Sequence, residues 1–98
     1  MFDPLTISLA IAALAVASVV TYLTVTVIRN YLRERRTNQN VNAKPALMVD
    51  RLNNGDYSVV TGFFDGNTKV LDSKVWNAQK LDEDLQKFPI SKPVIIES

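Results

Sequence analysis

The chain has 98 residues, a formal net charge of +1, no cysteine and no histidine. That excludes disulfide and thiolate chemistry, the usual general base at neutral pH and the commonest metal ligand. It also limits the fold to one small domain at most. The near-neutral total hides an uneven distribution. Residues 1–28 carry only Asp3, residues 29–44 sum to +4, and residues 45–98 carry six basic and eight acidic side chains. A mildly acidic C-terminal half lacks the basic surface that nucleic acid requires, so no nucleic-acid partner is expected.

From Leu5 to Ile28 run 24 residues without a charge. As one helix rising about 1.5 Å per residue they reach roughly 36 Å, enough to cross a hydrocarbon core of about 30 Å with some tilt. Residues 1–36 are therefore expected to form a transmembrane helix with a basic juxtamembrane extension. Pro4 suits the first helical turn and Asp3 its N-cap, and Phe2 and Tyr31 fall where interfacial aromatics sit. A cleaved signal peptide wants its cations before the apolar run, whereas here Arg29, Arg33, Arg35 and Arg36 follow it. Those arginines read as topology determinants that touch lipid headgroups. They make the segment a signal-anchor, with the N-terminus outside (lumen or periplasm) and the remainder cytoplasmic. Docking of the collar to an acidic partner is the sharper alternative. Ala10, Ala13, Ala17, Thr21 and Thr24 recur at spacings of three or four. On one helix they would line a small-residue face suited to packing against a second copy or a larger membrane subunit.

Residues 37–45 are polar and aperiodic at first, as in a linker. Residues 46–98 then read as a small α+β domain: an antiparallel β-meander of three strands, or four, with one packed helix. Ala46–Leu52 is the first strand. Asn53-Asn54-Gly55-Asp56 is a hairpin turn, since Asn-Gly supplies the positive φ such turns need. Tyr57–Phe64 is the second strand, and Gly62 within it marks a bulge or a close backbone approach. Asp65-Gly66-Asn67 is the next turn, and Thr68–Trp76 the third strand. Asn77 is placed to cap a helix carrying Leu81, Leu85 and Phe88 and ended by Pro89; a start at Ser73 is the alternative. Pro93–Ile96 is a short fourth strand. A core of about 53 residues without staples rarely supplies more than about 3–5 kcal/mol, which points to further stabilisation by a partner, by the membrane surface or by oligomerisation.

No constellation of catalytic groups emerges. Asp82-Glu83-Asp84 reads as a solvated helix face and Asp65-Gly66-Asn67 as a turn, not a calcium loop. Ser58, Ser73, Ser91 and Ser98 have no paired base, and no glycine-rich phosphate loop is present. No cofactor or metal is expected. Phe63, Phe64 and Trp76 form a candidate partner surface, with Trp76 favoured as a core residue. The function these features imply is a non-enzymatic, single-pass accessory or assembly subunit of a larger membrane complex. It would contact lipid and partners, or a second copy, through its span, and its small domain would make contacts or add an edge strand to a neighbour. A viral or phage membrane structural protein is one alternative. A membrane-tethered module that recruits a soluble partner is the other.

Overall fold

The structure, a computed structural model, describes residues 4–66 and 70–96. Phe2, Asp3, Asn67, Thr68 and Ser98, given roles above, lie outside them. In chain order the elements are α1 (Pro4–Ala12), β1 (Ser18–Leu23), α2 (Val25–Arg35), β2 (Lys44–Arg51), β3 (Tyr57–Phe64), β4 (Val70–Leu81), α3 (Glu83–Gln86) and β5 (Val94–Ile95). The strands form one mixed five-stranded sheet in the order β1-β4-β3-β2-β5. β1 runs parallel to β4, and the remaining pairs are antiparallel.

The charge-free run is not one helix. It is divided into α1, a turn, β1 and the first turn of α2. Among the described residues no helix is long and apolar enough to cross a membrane. α2, the longest, has 11 residues and spans only about 16 Å. This overturns the transmembrane helix, the signal-anchor assignment and the integral, N-terminus-out placement that followed from them. The fold is a small α+β unit with a mixed five-stranded sheet, and the meander β2-β3-β4 is its middle. The physical reason lies in strand pairing as well as in the side chains. Residues 25–28 are all β-branched and yet open α2, so residue type alone does not choose between strand and helix. Val19, Val20 and Thr21, β-branched as well, suit a pleated strand once a strand edge is offered. β4 offers that edge, and β1 pairs with it in unbroken register from Ser18↔Trp76 to Leu23↔Leu81. The apolar run thus buries one face of each short element.

The sheet has a layer on each side. On one face α1 places Leu9 over Ala46, Met48, Val60 and Val75. On the other, Ile28 and Leu32 of α2 and Leu85 of α3 pack over Leu47, Val49, Val59, Phe63, Trp76 and Ala78. The alternation of Leu47 and Val49 with Ala46 and Met48 along β2 sends successive side chains into the two cores. The Cα radius of gyration, 12.4 Å, is close to the ~13 Å of a folded chain of about 100 residues. Residues of the N-terminal third are therefore built into the same body as the rest.

Local chemistry follows the sequence in several places. Gly55 takes the turn at φ 93°, and Leu52 closes the hairpin by donating to Asp56 O at 2.7 Å. The register shifts between Thr61 and Phe63. A side chain at Gly62 would run into Val70 and lie 3.1 Å from Leu71 O, so this close approach requires glycine. The helix expected from Asn77 is instead the second half of β4, and only Glu83–Gln86 is helical. Asp82, not Asn77, is its N-cap, accepting from Leu85 N–H at 2.9 Å.

The segment between α2 and β2 is held in place by Asn40, a fully buried side chain. Its amide donates to Arg35 O and to Asp72 Oδ2, both at 2.8 Å, and its Oδ1 accepts from Thr37 N–H at 2.8 Å. A buried amide with these bonds made specifies the chain path here.

Asp82 joins four elements at once. Its N–H donates to Leu23 O at 3.1 Å, where β1 ends. Its Oδ2 accepts from Val25 N–H at 3.0 Å, at the first residue of α2, while Oδ1 caps α3. Asp82→Ala is expected to cost about 1–3 kcal/mol, the loss of a cap plus an orphaned donor on α2. In thermal unfolding that is a fall in Tm of roughly 5–15 °C for a chain of this size. Asp82→Asn, which keeps one acceptor, is expected to lose less; a Tm within 1–2 °C of wild type for the alanine variant is the contrary result.

Candidate functional site

The residues assigned to one small-residue helix face are dispersed. Ala10 lies in α1, Ala13 and Ala17 in the turn after it, and Thr21 in β1. Thr24 is the N-cap of α2, accepting from Val27 N–H at 3.2 Å. No helix carries all five, so the packing seam has no structural basis. The candidate partner surface also dissolves. Phe63 and Trp76 are only 1% and 3% exposed and belong to the core under α2, whereas Phe64 packs on the α1 side. Trp76 meets Tyr31 edge-to-face with ring centroids 5.5 Å apart, a geometry that aromatic quadrupoles favour.

Two surfaces remain. The first is the free edge of the sheet at β1. Residues leading into and along it are exposed although apolar: Leu14 85%, Val16 98% and Val19 78%. Ile11 and Tyr22 are exposed beside them. Val19 stays uncovered because α1 lies over β3 and β4 and stops short of β1.

The second is a cleft of about 310 Å³ lined by Arg29, Leu32, Arg33, Arg36, Pro45 and Phe63. The helical spacing explains it. Residues 29, 32 and 33 stand at i, i+3 and i+4 on one face of α2, and Arg36, its C-cap, follows where the chain leaves the helix. Leu32 is buried and Phe63 forms the floor. Arg36 is fixed as a wall: its Nη1 donates to Asn40 O at 2.8 Å and to Ala43 O at 2.7 Å. Its guanidinium lies over the Phe63 ring, 4.7 Å from the centroid. Arg35 turns away and stacks on Tyr31 at 5.4 Å. Of the four arginines expected to act as topology determinants at lipid headgroups, Arg29, Arg33 and Arg36 line this cleft and Arg35 does not.

The acidic cluster is not a site. Asp82 is consumed in capping, and the exposed Asp84 pairs with Lys87 at 3.8 Å. Among the described residues no three acidic side chains converge where they would hold a metal ion. A smaller hollow of about 230 Å³, lined among others by Arg51, Tyr57, Leu85 and Phe88, brings no acid–base pair together.

Tyr31 links the cluster to the core. Its hydroxyl donates to Asp72 O at 3.0 Å. Burial raises its pKa above the ordinary tyrosine value of 10.0, with Arg35 pulling the other way. The folded state therefore holds this proton more tightly than the unfolded chain. The associated stability is complete below pH 10 and is lost as pH rises through the raised value. Urea midpoints of wild type and Tyr31→Phe measured from pH 8 to pH 11 are expected to converge above pH 10; parallel curves over that range contradict this role.

Comparisons of the chain with protein-family models, with curated proteins and with solved structures return no match, so the geometry of these two surfaces carries the functional argument.

Proposed function

We propose that this chain is a non-enzymatic interaction module, an assembly subunit that docks by pairing the open edge of β1 with a strand of a partner chain. The observation that carries the reading is the contrast between the two edges of the sheet. β5, at one end, has two residues, and a short strand is one of the ways an edge is protected. β1, at the other, has six, with sequence SVVTYL and a register free of shifts. It carries no charge, no proline and no bulge, the other devices that keep edges from pairing. Its outward N–H and C=O groups form a template for strand addition, in which backbone bonds give affinity and alternate side chains give specificity. The exposed Leu14, Val16 and Val19 supply the apolar rim such a contact buries.

The absence of histidine and cysteine from the sequence supports a binding role over a catalytic one. The span no longer enters the reading, and its place as the contact surface is taken by residues of the same segment in strand form.

The test is Val19→Lys combined with Val16→Asp, both at exposed positions that leave the core intact. Wild-type protein purified from its native source is expected to carry a stoichiometric companion chain, a second copy or another protein, that protects outward-facing amides of residues 18–23 from hydrogen exchange. The variant is expected to bind that companion at least about tenfold more weakly, equivalent to about 1.4 kcal/mol. Full affinity in the variant, or free exchange across residues 18–23 in the isolated complex, sinks the proposal.

A further inference from the structure

We infer that the cleft between α2 and the start of β2 is a binding site for the phosphate of a small phosphate monoester, held by Arg29, Arg33 and Arg36 over an apolar floor. This site lies apart from the β1 edge and stands or falls independently of it.

Three observations carry the inference. First, Arg29 and Arg33 line the cleft with no ion pair among the described residues, and no carboxylate lines it with them. Cations in the last turn of a helix complement its dipole, which accounts for Arg33. Arg29, in the middle of α2, has no such explanation. Second, Arg36 is preorganised. Both hydrogens of its Nη1 are used on Asn40 O and Ala43 O, and its ring contact with Phe63 fixes the plane. A guanidinium has five N–H donors, so those on Nη2 and Nε remain for a ligand. Third, the floor of Leu32, Pro45 and Phe63 is buried and apolar. A volume of about 310 Å³ is at the lower end of the range for small-molecule sites, roughly 300–1,000 Å³.

The chemistry of the ligand follows. Guanidinium forks match the oxygens of phosphate and carboxylate in bidentate fashion. Three cations lining one cleft favour a dianion with three terminal oxygens over a single carboxylate, which carries one charge. The side chains beneath the guanidinium groups, Leu32, Pro45 and Phe63, are apolar and give the rest of the ligand no polar partner. The Phe63 face is already covered by Arg36, so stacking of a nucleobase on it is blocked and a nucleotide is disfavoured.

Phenyl phosphate, inorganic phosphate and acetate, titrated at constant ionic strength against the full chain and followed by amide chemical shifts, test this. Phenyl phosphate is expected to bind at least threefold more tightly than inorganic phosphate, and acetate at least tenfold more weakly than either. The shifts are expected to map to Arg29, Leu32, Arg33 and Phe63. The double variant Arg29→Gln/Arg33→Gln is expected to lose at least tenfold in affinity while its Tm in phosphate-free buffer falls by no more than about 5 °C, both side chains being exposed and only the dipole contribution of Arg33 being lost. Arg29→Lys/Arg33→Lys, which keeps the charge and removes the fork, is expected to fall between. Equal binding of acetate and phosphate, shifts centred elsewhere, or undiminished binding by the glutamine variant overturns the inference. A phosphoserine peptide that binds more than tenfold tighter than phenyl phosphate overturns the small-molecule assignment.

Discussion

The structure depends on one carboxylate. Asp82 stands where β1 and β4 finish side by side, and its backbone and two oxygens receive or make one hydrogen bond each to Leu23, Val25 and Leu85. Through these bonds the last rung of the parallel pair, the first residue of α2 and the first turn of α3 share an anchor 57 residues distant in sequence from α2. A helix start leaves N–H groups that must be satisfied. Thr24 satisfies one within the α2 segment, and Asp82 satisfies another from across the sheet. That is why an apolar run can turn from strand to helix within a single residue.

Once α2 starts there, the rest of its path is set. Ile28 and Leu32 face the sheet, and Arg29, Arg33 and Arg36 are carried to the border of the same core. Asn40 then pins the following loop to Arg35 and to Asp72, so that Arg36 meets the carbonyls that hold it. Asp72 takes φ 51°, an unusual backbone state for a residue other than glycine, and its carbonyl and carboxylate serve Tyr31 and Asn40. The cleft is thus a by-product of core packing on one side and loop anchoring on the other. The β1 edge has a different origin. α1 covers the middle of the sheet and leaves the outer strand bare, so the apolar residues that β1 and its approach carry are left at the surface.

Parts of this were legible in the residues. The limits of β3, the hairpin at Gly55 and the irregularity at Gly62 rest on short-range rules about alternation and positive φ, and these hold wherever the chain lies. The arginine cluster was legible as a cluster because helical spacing is local. Apolarity and length alone imply a span over residues 5–28, because neither registers the pairing of β1 with β4 or the cap that Asp82 gives α2. The helix expected after Trp76 gives way to strand for a related reason. Leu81 and Leu85 fit a helical period, but Ala78 and Leu81 lie in the extended strand that receives β1, and that demand for pairing came from a segment more than fifty residues earlier.

The sequence by itself determined the local events: where turns fall, which residues alternate in β2 and β3, and which cations share a helical face. It also determined that segment 5–28 must hide apolar surface. Only the tertiary structure decided how, by supplying β4 as a strand partner and Asp82 as a distant cap. Apolarity specifies that a side chain leaves water but not what replaces it, and a backbone hydrogen bond made within a helix is chemically the same as one made to a neighbouring strand. The choice between them lies in contacts between residues far apart in the chain.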